Sequence, residues 1–160
     1  MALGSQSSRL AEEMGKSKAW LSTGWASIVV DCRTSARLGR VRQKGTAPEL
    51  VVRKALTALG HRYRIRNRDL PGSPDIANRR RGWVVFVHGC FWHSHAGCSR
   101  ATVPKRNREF WRSKFSDNRK RDSRAQLDLK KLGFLSVVLW ECEVFQPAIL
   151  RRRLTQLRNS

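Results

Sequence analysis

Five consecutive apolar residues, "WVVFV" at Trp83–Val87, stand in a chain with 33 Lys and Arg against 12 Asp and Glu. Such a run does not alternate, so it is apolar on both faces and belongs at the centre of a sheet covered on each side. "FLSVVLW", Phe134–Trp140, reads as a second buried strand. Covering layers are available as helices. "TAPELVVRKALTALG" opens with Thr46 and Glu49 in capping-box spacing, has Pro48 in its first turn and stops at Gly60. Its Val52, Ala55, Leu56 and Leu59 recur on one face. "NREFWRSKFSDNRKRDSRAQLDLKKLG" reads as one long basic helix or two, ended by Gly133, and "PAILRRRLTQL" as a short final helix. "HRYRIR", His61–Arg66, alternates like a half-buried strand, and two turn signals flank a short extended segment at Asp75–Ala77. The order helix, strand, strand, strand, helix, strand, helix predicts an α/β domain with a mixed sheet flanked by helices.

A formal charge of +21 says more about partners than about fold, and a polyanion is the first candidate. No apolar run approaches the roughly 20 residues of a membrane span, so no membrane partner is expected. Residues 1–36 show no sustained period and read as a weakly ordered basic extension before a domain at 37–160. "AWLSTGWASIVV", Ala19–Val30, is interrupted by Ser, Thr and Gly, lacks a following small-residue cleavage site and makes a poor secretion signal. "RTSARLGRVRQKGT", Arg33–Thr46, is a basic arm suited to phosphate contacts.

Cys90, His95 and Cys98 fall within nine residues, and Cys142 follows the last buried strand. Four thiolate and imidazole ligands make a closed, structural zinc site that would tie the loop to a distant strand. Cys32 lies too far upstream to join. Clustered cysteines beside histidines also favour a reduced compartment over a disulfide scaffold. That assignment leaves His88 and His93 free next to the knuckle, as candidates for chemistry.

Between Asp69 and Glu109 there is a single acid, Asp75, in "LPGSPDI". A carboxylate in a basic face repels phosphate unless it holds a cation such as Mg²⁺. A turn aspartate capping its own backbone would look the same.

"LPGSPDI", "VFVHGCFWHSHAGC", "EFWRSKFSDNRKRD" and "VLWEC", in this order and spacing, resemble the very short patch repair (Vsr) mismatch endonucleases, from about Arg37 to Phe145. The resemblance implies a restriction-endonuclease-like PD-(D/E)xK fold. It also implies a strand-specific, Mg²⁺-dependent nick in double-stranded DNA beside the thymine of a T:G mismatch left by deaminated 5-methylcytosine. By position, it implies that Asp75 is the catalytic aspartate on Mg²⁺, with Val87 offering its backbone carbonyl where the best-known member has Thr. His88 and His93 match the active-site histidines, Glu49 a glutamate of the metal-water shell, and Asp122 an acid that orients a histidine. Cys90, His95, Cys98 and Cys142 match the Zn²⁺ ligands already reached from spacing. Phe91, Trp92 and Trp111 match an aromatic wedge that enters the base stack. A functional link to a cytosine-5 DNA methyltransferase and repair proteins, a monomeric state and a bacterial cytoplasmic, nucleoid-associated location are further implications. The N-terminal extension is longer than the resemblance accounts for.

The chemistry is consistent with these assignments. This fold usually supplies a lysine near the nucleophile, yet none follows Asp75 before Lys105, so His93 would replace it as general base and His88 would assist with phosphate or metal-bound water, a division that spacing does not decide. A T:G pair stacks poorly, which lowers the cost of inserting Phe91 and Trp92. Arg119, Lys120 and Arg121 are the expected phosphate contacts. The alternatives are a restriction-type or mobile-element nuclease that cuts matched DNA, a non-catalytic zinc-stabilised DNA-binding domain, and a basic RNA-associated protein.

Overall fold

The computed structural model describes residues 44–158. The expectations for residues 1–36, for Cys32 and for most of the Arg33–Thr46 arm lie outside them.

Helix α1 (Ala47–Ala58) starts where the sequence places it. The Glu49 carboxylate accepts the Thr46 N–H at 3.3 Å and the Gly45 N–H at 3.0 Å, satisfying donors at the helix start. Four strands follow, β1 (Arg64–Ile65), β2 (Ile76–Asn78), β3 (Trp83–His88) and β4 (Leu135–Trp140), with α2 (Arg108–Lys131) between the last two. A one-turn helix α3 (Glu141–Val144), helix α4 (Pro147–Thr155) and a 3₁₀ turn at Gln156–Arg158 end the described chain. The sheet order is β1-β2-β3-β4, antiparallel for the first two pairings and parallel for β3 with β4. The fold is thus the expected mixed sheet, with α2 as the crossover that a parallel pair requires.

Side-chain parity along β3 distributes the core. Trp83 and Val85 join Val52, Leu56, Ile76, Leu139, Leu150 and Leu154 beneath α1 and α4. Val84 and Phe86 face the other way, toward Leu70, Ala77 and Leu129. Both faces of β3 are therefore covered, the physical reason its sequence does not alternate. At the β4 edge Arg153 donates to the Val138 carbonyl at 2.5 Å, occupying an acceptor that an edge strand would otherwise leave open.

Two expectations need correction. His61–Arg66 is not a half-buried strand: only Arg64 and Ile65 pair, and both are exposed. His61 is buried and Tyr63 packs against the α1 core from outside the ladder. Arg66 at φ 63° leaves the strand region and ends the pairing. The C-terminal helix is likewise shorter than Pro147–Leu157, because its last residues tighten into the 3₁₀ turn.

Candidate active site and metal centre

Strand β3 ends at His88, whose parity matches Val84 and Phe86 and so directs it to the α2 side. The chain then turns, with the His93 N–H donating to the Gly89 carbonyl and the His95 N–H to the Cys90 carbonyl. This brings the His93 ring onto that of His88, centroids 3.8 Å apart and planes 8° from parallel. His93 Nδ1 lies 2.5 Å from Asp122 Oδ2. Helix α2 delivers that acid by its own periodicity. Trp111, Phe115, Asn118, Asp122, Ala125 and Leu129 recur at three- and four-residue steps on one face.

Asp75 precedes β2, and its Oδ2 accepts the Val87 N–H at 2.8 Å, so the carboxylate is anchored to β3. The approach depends on Gly72, at φ +71°. A Cβ there would stand 2.6 Å from the Ala125 Cβ and 3.3 Å from the Phe86 ring. Asp75, Glu49, Val87, His88, His93 and Asp122 all line one cleft of about 890 Å³, together with Trp92 and Arg121. Every catalytic residue suggested by the resemblance is thus brought together.

The electrostatics separate these groups. Burial raises the Asp75 carboxyl to about 6; the Val87 N–H opposes the rise and the nearby Glu49 charge adds to it. Burial lowers His88 to about 4, aided by the charge of His93, so this ring is neutral near pH 7. Burial also pushes Asp122 upward, but the His93 hydrogen bond and the His93, His88 and Arg121 charges outweigh it and hold Asp122 below the carboxylate range. With Asp122 ionised, its short bond to His93 requires the proton on Nδ1, so in the neutral form of the ring Nε2 is the acceptor.

Two sets of groups suit cations. Cys90, His95, Cys98 and Cys142 present ligand atoms within 4.8 Å of one another. His95 Nδ1 is 3.7 Å from Cys90 Sγ and 3.4 Å from Cys142 Sγ. Tetrahedral zinc with bonds of roughly 2.0–2.3 Å separates its ligand atoms by about 3.5–3.8 Å, so the set fits. Burial raises the Cys90 and Cys142 thiols, Cys90 to about 12, whereas an N–H from Arg100 lowers Cys98. In the cleft, Asp75 supplies hard oxygen in a place where its own charge is unfavourable, which suits Mg²⁺. The Glu49 oxygens are engaged by Gly45, Thr46 and Arg53, which fixes the carboxylate at the cleft wall. His88, His93 and Asp122 also converge within 4.8 Å, but the short His93–Asp122 bond leaves no room for an ion between that pair.

The aromatic residues form one cluster. Phe91 contacts Trp92, Trp111 and Phe115 at centroid distances of 5.2, 5.2 and 5.4 Å. Trp111, expected within the wedge, is only 9 % exposed, so here it forms the floor beneath Phe91. Phe91 and Trp92 are half-buried, and Arg119, Lys120 and Arg121 are exposed.

A family model described as DNA mismatch endonuclease Vsr matches residues 28–100. The type II nicking enzyme V.NmeAIP of Neisseria meningitidis is 42 % identical over 74 % of this chain and 84 % of its own length. The chain belongs to the Vsr family. The type II nicking enzyme V.XorIIP of Xanthomonas oryzae is also 42 % identical, over 74 % of this chain and 86 % of its own. The DNA mismatch endonuclease Vsr of Escherichia coli is 36 % identical over 68 % and 69 % of the two chains. Vsr membership makes this chain a DNA endonuclease and implies the restriction-endonuclease-like fold expected from its motifs.

Three residues of this Vsr site were not anticipated. Asn118 donates to the Trp92 carbonyl at 2.8 Å and accepts from Arg121 at 2.6 Å, fixing both the aromatic loop and a cleft guanidinium. Its place one turn before Asp122 was the available signal. Arg53 holds Glu49 Oε2 at 3.0 Å from the next turn of α1. Trp140 stacks on His95 at 4.1 Å and 5°, and turns an edge to His88 at 5.5 Å. Nothing in "VLWEC" alone distinguishes that tryptophan from a core residue. Among the described residues no helix is long and apolar enough to cross a membrane.

Proposed function

We propose that this Vsr-family endonuclease nicks one strand of duplex DNA beside the thymine of a T:G mismatch, with Mg²⁺ in the cleft and Zn²⁺ on the knuckle. The observation that carries the reading is the convergence of anchored Asp75 with the His88–His93 stack and its Asp122 partner in one cleft. A purely DNA-binding domain has no use for that set.

Asp75 and the Val87 carbonyl would hold Mg²⁺, with Glu49 beside them in the cleft, and when bound the ion would offset phosphate charge and polarise the P–O bond. His93 accepts the proton of the attacking water at Nε2, while Asp122 holds Nδ1–H and stabilises the ring once it is charged. His88, neutral through burial, orients the His93 ring by stacking and lies against the phosphate path without adding a charge. Phe91 and Trp92 enter the stack where a T:G pair has already weakened it, Asn118 and Trp111 support them from below, and Arg119, Lys120 and Arg121 take phosphates. On the knuckle, Cys90, His95, Cys98 and Cys142 would hold Zn²⁺ as a closed structural site. A link to cytosine-5 methylation follows from the origin of the mismatch.

The test is a nicking assay on a T:G duplex and its T:A control, with and without Mg²⁺, beside Asp75→Ala. Single-strand cleavage that needs the mismatch, Mg²⁺ and Asp75 supports the reading. Equal cleavage of the matched duplex would favour a restriction-associated nuclease, and binding without cleavage a non-catalytic domain.

A further inference from the structure

The end of the sheet opposite the cleft carries a concentrated positive surface that the nicking site does not use. β3 runs from Trp83 to His88, so the β2–β3 turn lies about 17 Å along the strand from the catalytic histidine. That turn is Arg79, Arg80, Arg81 and Gly82. It is tightly built: the Gly82 N–H donates to the Arg79 carbonyl at 3.3 Å, and the Arg81 N–H to Asn78 Oδ1 at 2.9 Å. Gly82 takes the positive φ, +64°, that closes such a turn. Asn78 also donates to the Arg62 carbonyl at 2.7 Å, fastening the turn to the edge of the sheet.

Five exposed guanidinium-bearing residues, Arg62, Arg64, Arg79, Arg80 and Arg81, are thereby gathered from two segments. The acid among them is Asp69, which pairs with Arg79. The Arg79 hydrogen bond and the charges of Arg79 and Arg64 hold its carboxyl below the usual range, so Arg64 and Arg79 bear on the same point. One carboxylate against five guanidiniums leaves a net positive surface on a rigid turn. Like charges crowded this way repel one another and add nothing to the core. A chain of phosphates at regular spacing relieves that repulsion and takes guanidiniums in forked hydrogen bonds.

We propose that this surface is a second phosphate-backbone site for duplex DNA, separate from the nicking cleft. The DNA is the flank of the duplex being nicked. The proposal rests on DNA being the substrate class, not on mismatch specificity.

The test compares full-length protein with Arg80→Ser/Arg81→Ser, two side chains outside the cleft, by salt titration of binding. One duplex of about 8 base pairs, roughly 27 Å, reaches about 14 Å to each side of a central T:G mismatch, short of the turn, and a second extends it to about 40 base pairs. If the flank is the ligand, the variant loses about 1–2 from the log–log salt slope on the long duplex only, with roughly tenfold weaker binding near 0.15 M salt. Retention of a second, labelled short duplex by wild-type protein on an immobilised short duplex, lost in the variant, would overturn the flank assignment. Unchanged slopes would overturn the proposal. So would equal losses on both duplexes, which would make the turn a wall of the main interface. Nicking of the short T:G duplex stays at the wild-type rate, so failure of the mismatch reading and failure of this surface are read on separate measurements.

Discussion

Replacing Asp75 by Asn should stabilise the magnesium-free protein while abolishing nicking. Burial raises the Asp75 carboxyl from 3.8 to about 6 against the opposing Val87 N–H, and the Glu49 charge adds to the rise. A folded-state value above the unfolded one means that the native state binds the proton more tightly, so stability falls as pH rises through that window. The displacement is about 2 units, and at about 1.4 kcal/mol per unit ionisation costs the fold roughly 3 kcal/mol once the pH is above 6. Below pH 3.8 the cost is absent. Asn keeps an oxygen for the Val87 N–H, bonded at 2.8 Å, and removes the charge. The expected gain is about 1–3 kcal/mol near pH 8, the lower end reflecting water that reaches a partly exposed carboxylate, and about half that near pH 5. Urea unfolding of zinc-loaded protein without Mg²⁺ at both pH values measures it. Adding Mg²⁺ should stabilise the wild type and leave the variant unchanged. An Asn variant no more stable than wild type at pH 8, or a gain that ignores pH, would refute the electrostatic account.

Cys142→Ser should lose zinc, read by elemental analysis, and lower stability by about 3 kcal/mol or more, because loop and strand lose their shared ligand; full zinc content would remove Cys142 from the set. Asp122→Asn should lower the nicking rate about 10²–10⁴-fold with little change in DNA affinity, since an amide that donates to His93 Nδ1 moves the ring proton to Nε2. Single-turnover kinetics beside a binding titration separate the two effects. Gly72→Ala should cost about 2 kcal/mol or more in thermal unfolding, from the positive φ and the approach to Ala125 together, and a neutral result would mean that the Asp75 turn is looser than its contacts imply. Trp92→Ala should weaken binding to T:G duplex more than to T:A duplex, whereas equal losses would make it a packing residue.

Where one residue type in one pattern answers a single physical demand, the sequence was readable. A strand covered on both faces must read like Trp83–Val87, and helix α1 starts at the capping pair that satisfies its first donors. The zinc-type ligands could be paired from spacing because Cys142 had one buried strand end to follow. Other features depend on partners far away in sequence. Asp75 differs from an ordinary turn aspartate only through the Val87 N–H and the Glu49 charge that meet it after folding. Asn118 is a polar residue on a basic helix until the Trp92 carbonyl is placed above it. Trp111 carries the same indole whether it packs under Phe91 or reaches into DNA, and its low exposure in the DNA-free protein shows the first without testing the second. His61–Arg66 alternates as a strand would, yet Tyr63 finds its packing outside the ladder and the pairing stops at two residues.

Trp140 lies flat on His95 and presents its edges to His88 and His93. One rigid indole thus acts as a spacer between the knuckle and the stacked His88 and His93. The stretch from His88 to Cys98 is consequently tied to one plate at His88, His93 and His95. A single-residue insertion there would have to misplace either a cysteine or His93, whereas the stretch between Ser99 and Asn107 carries neither a ligand nor a ring against this plate. Length variation among functional relatives should therefore collect after Cys98, and loop-swap engineering should cut the chain there.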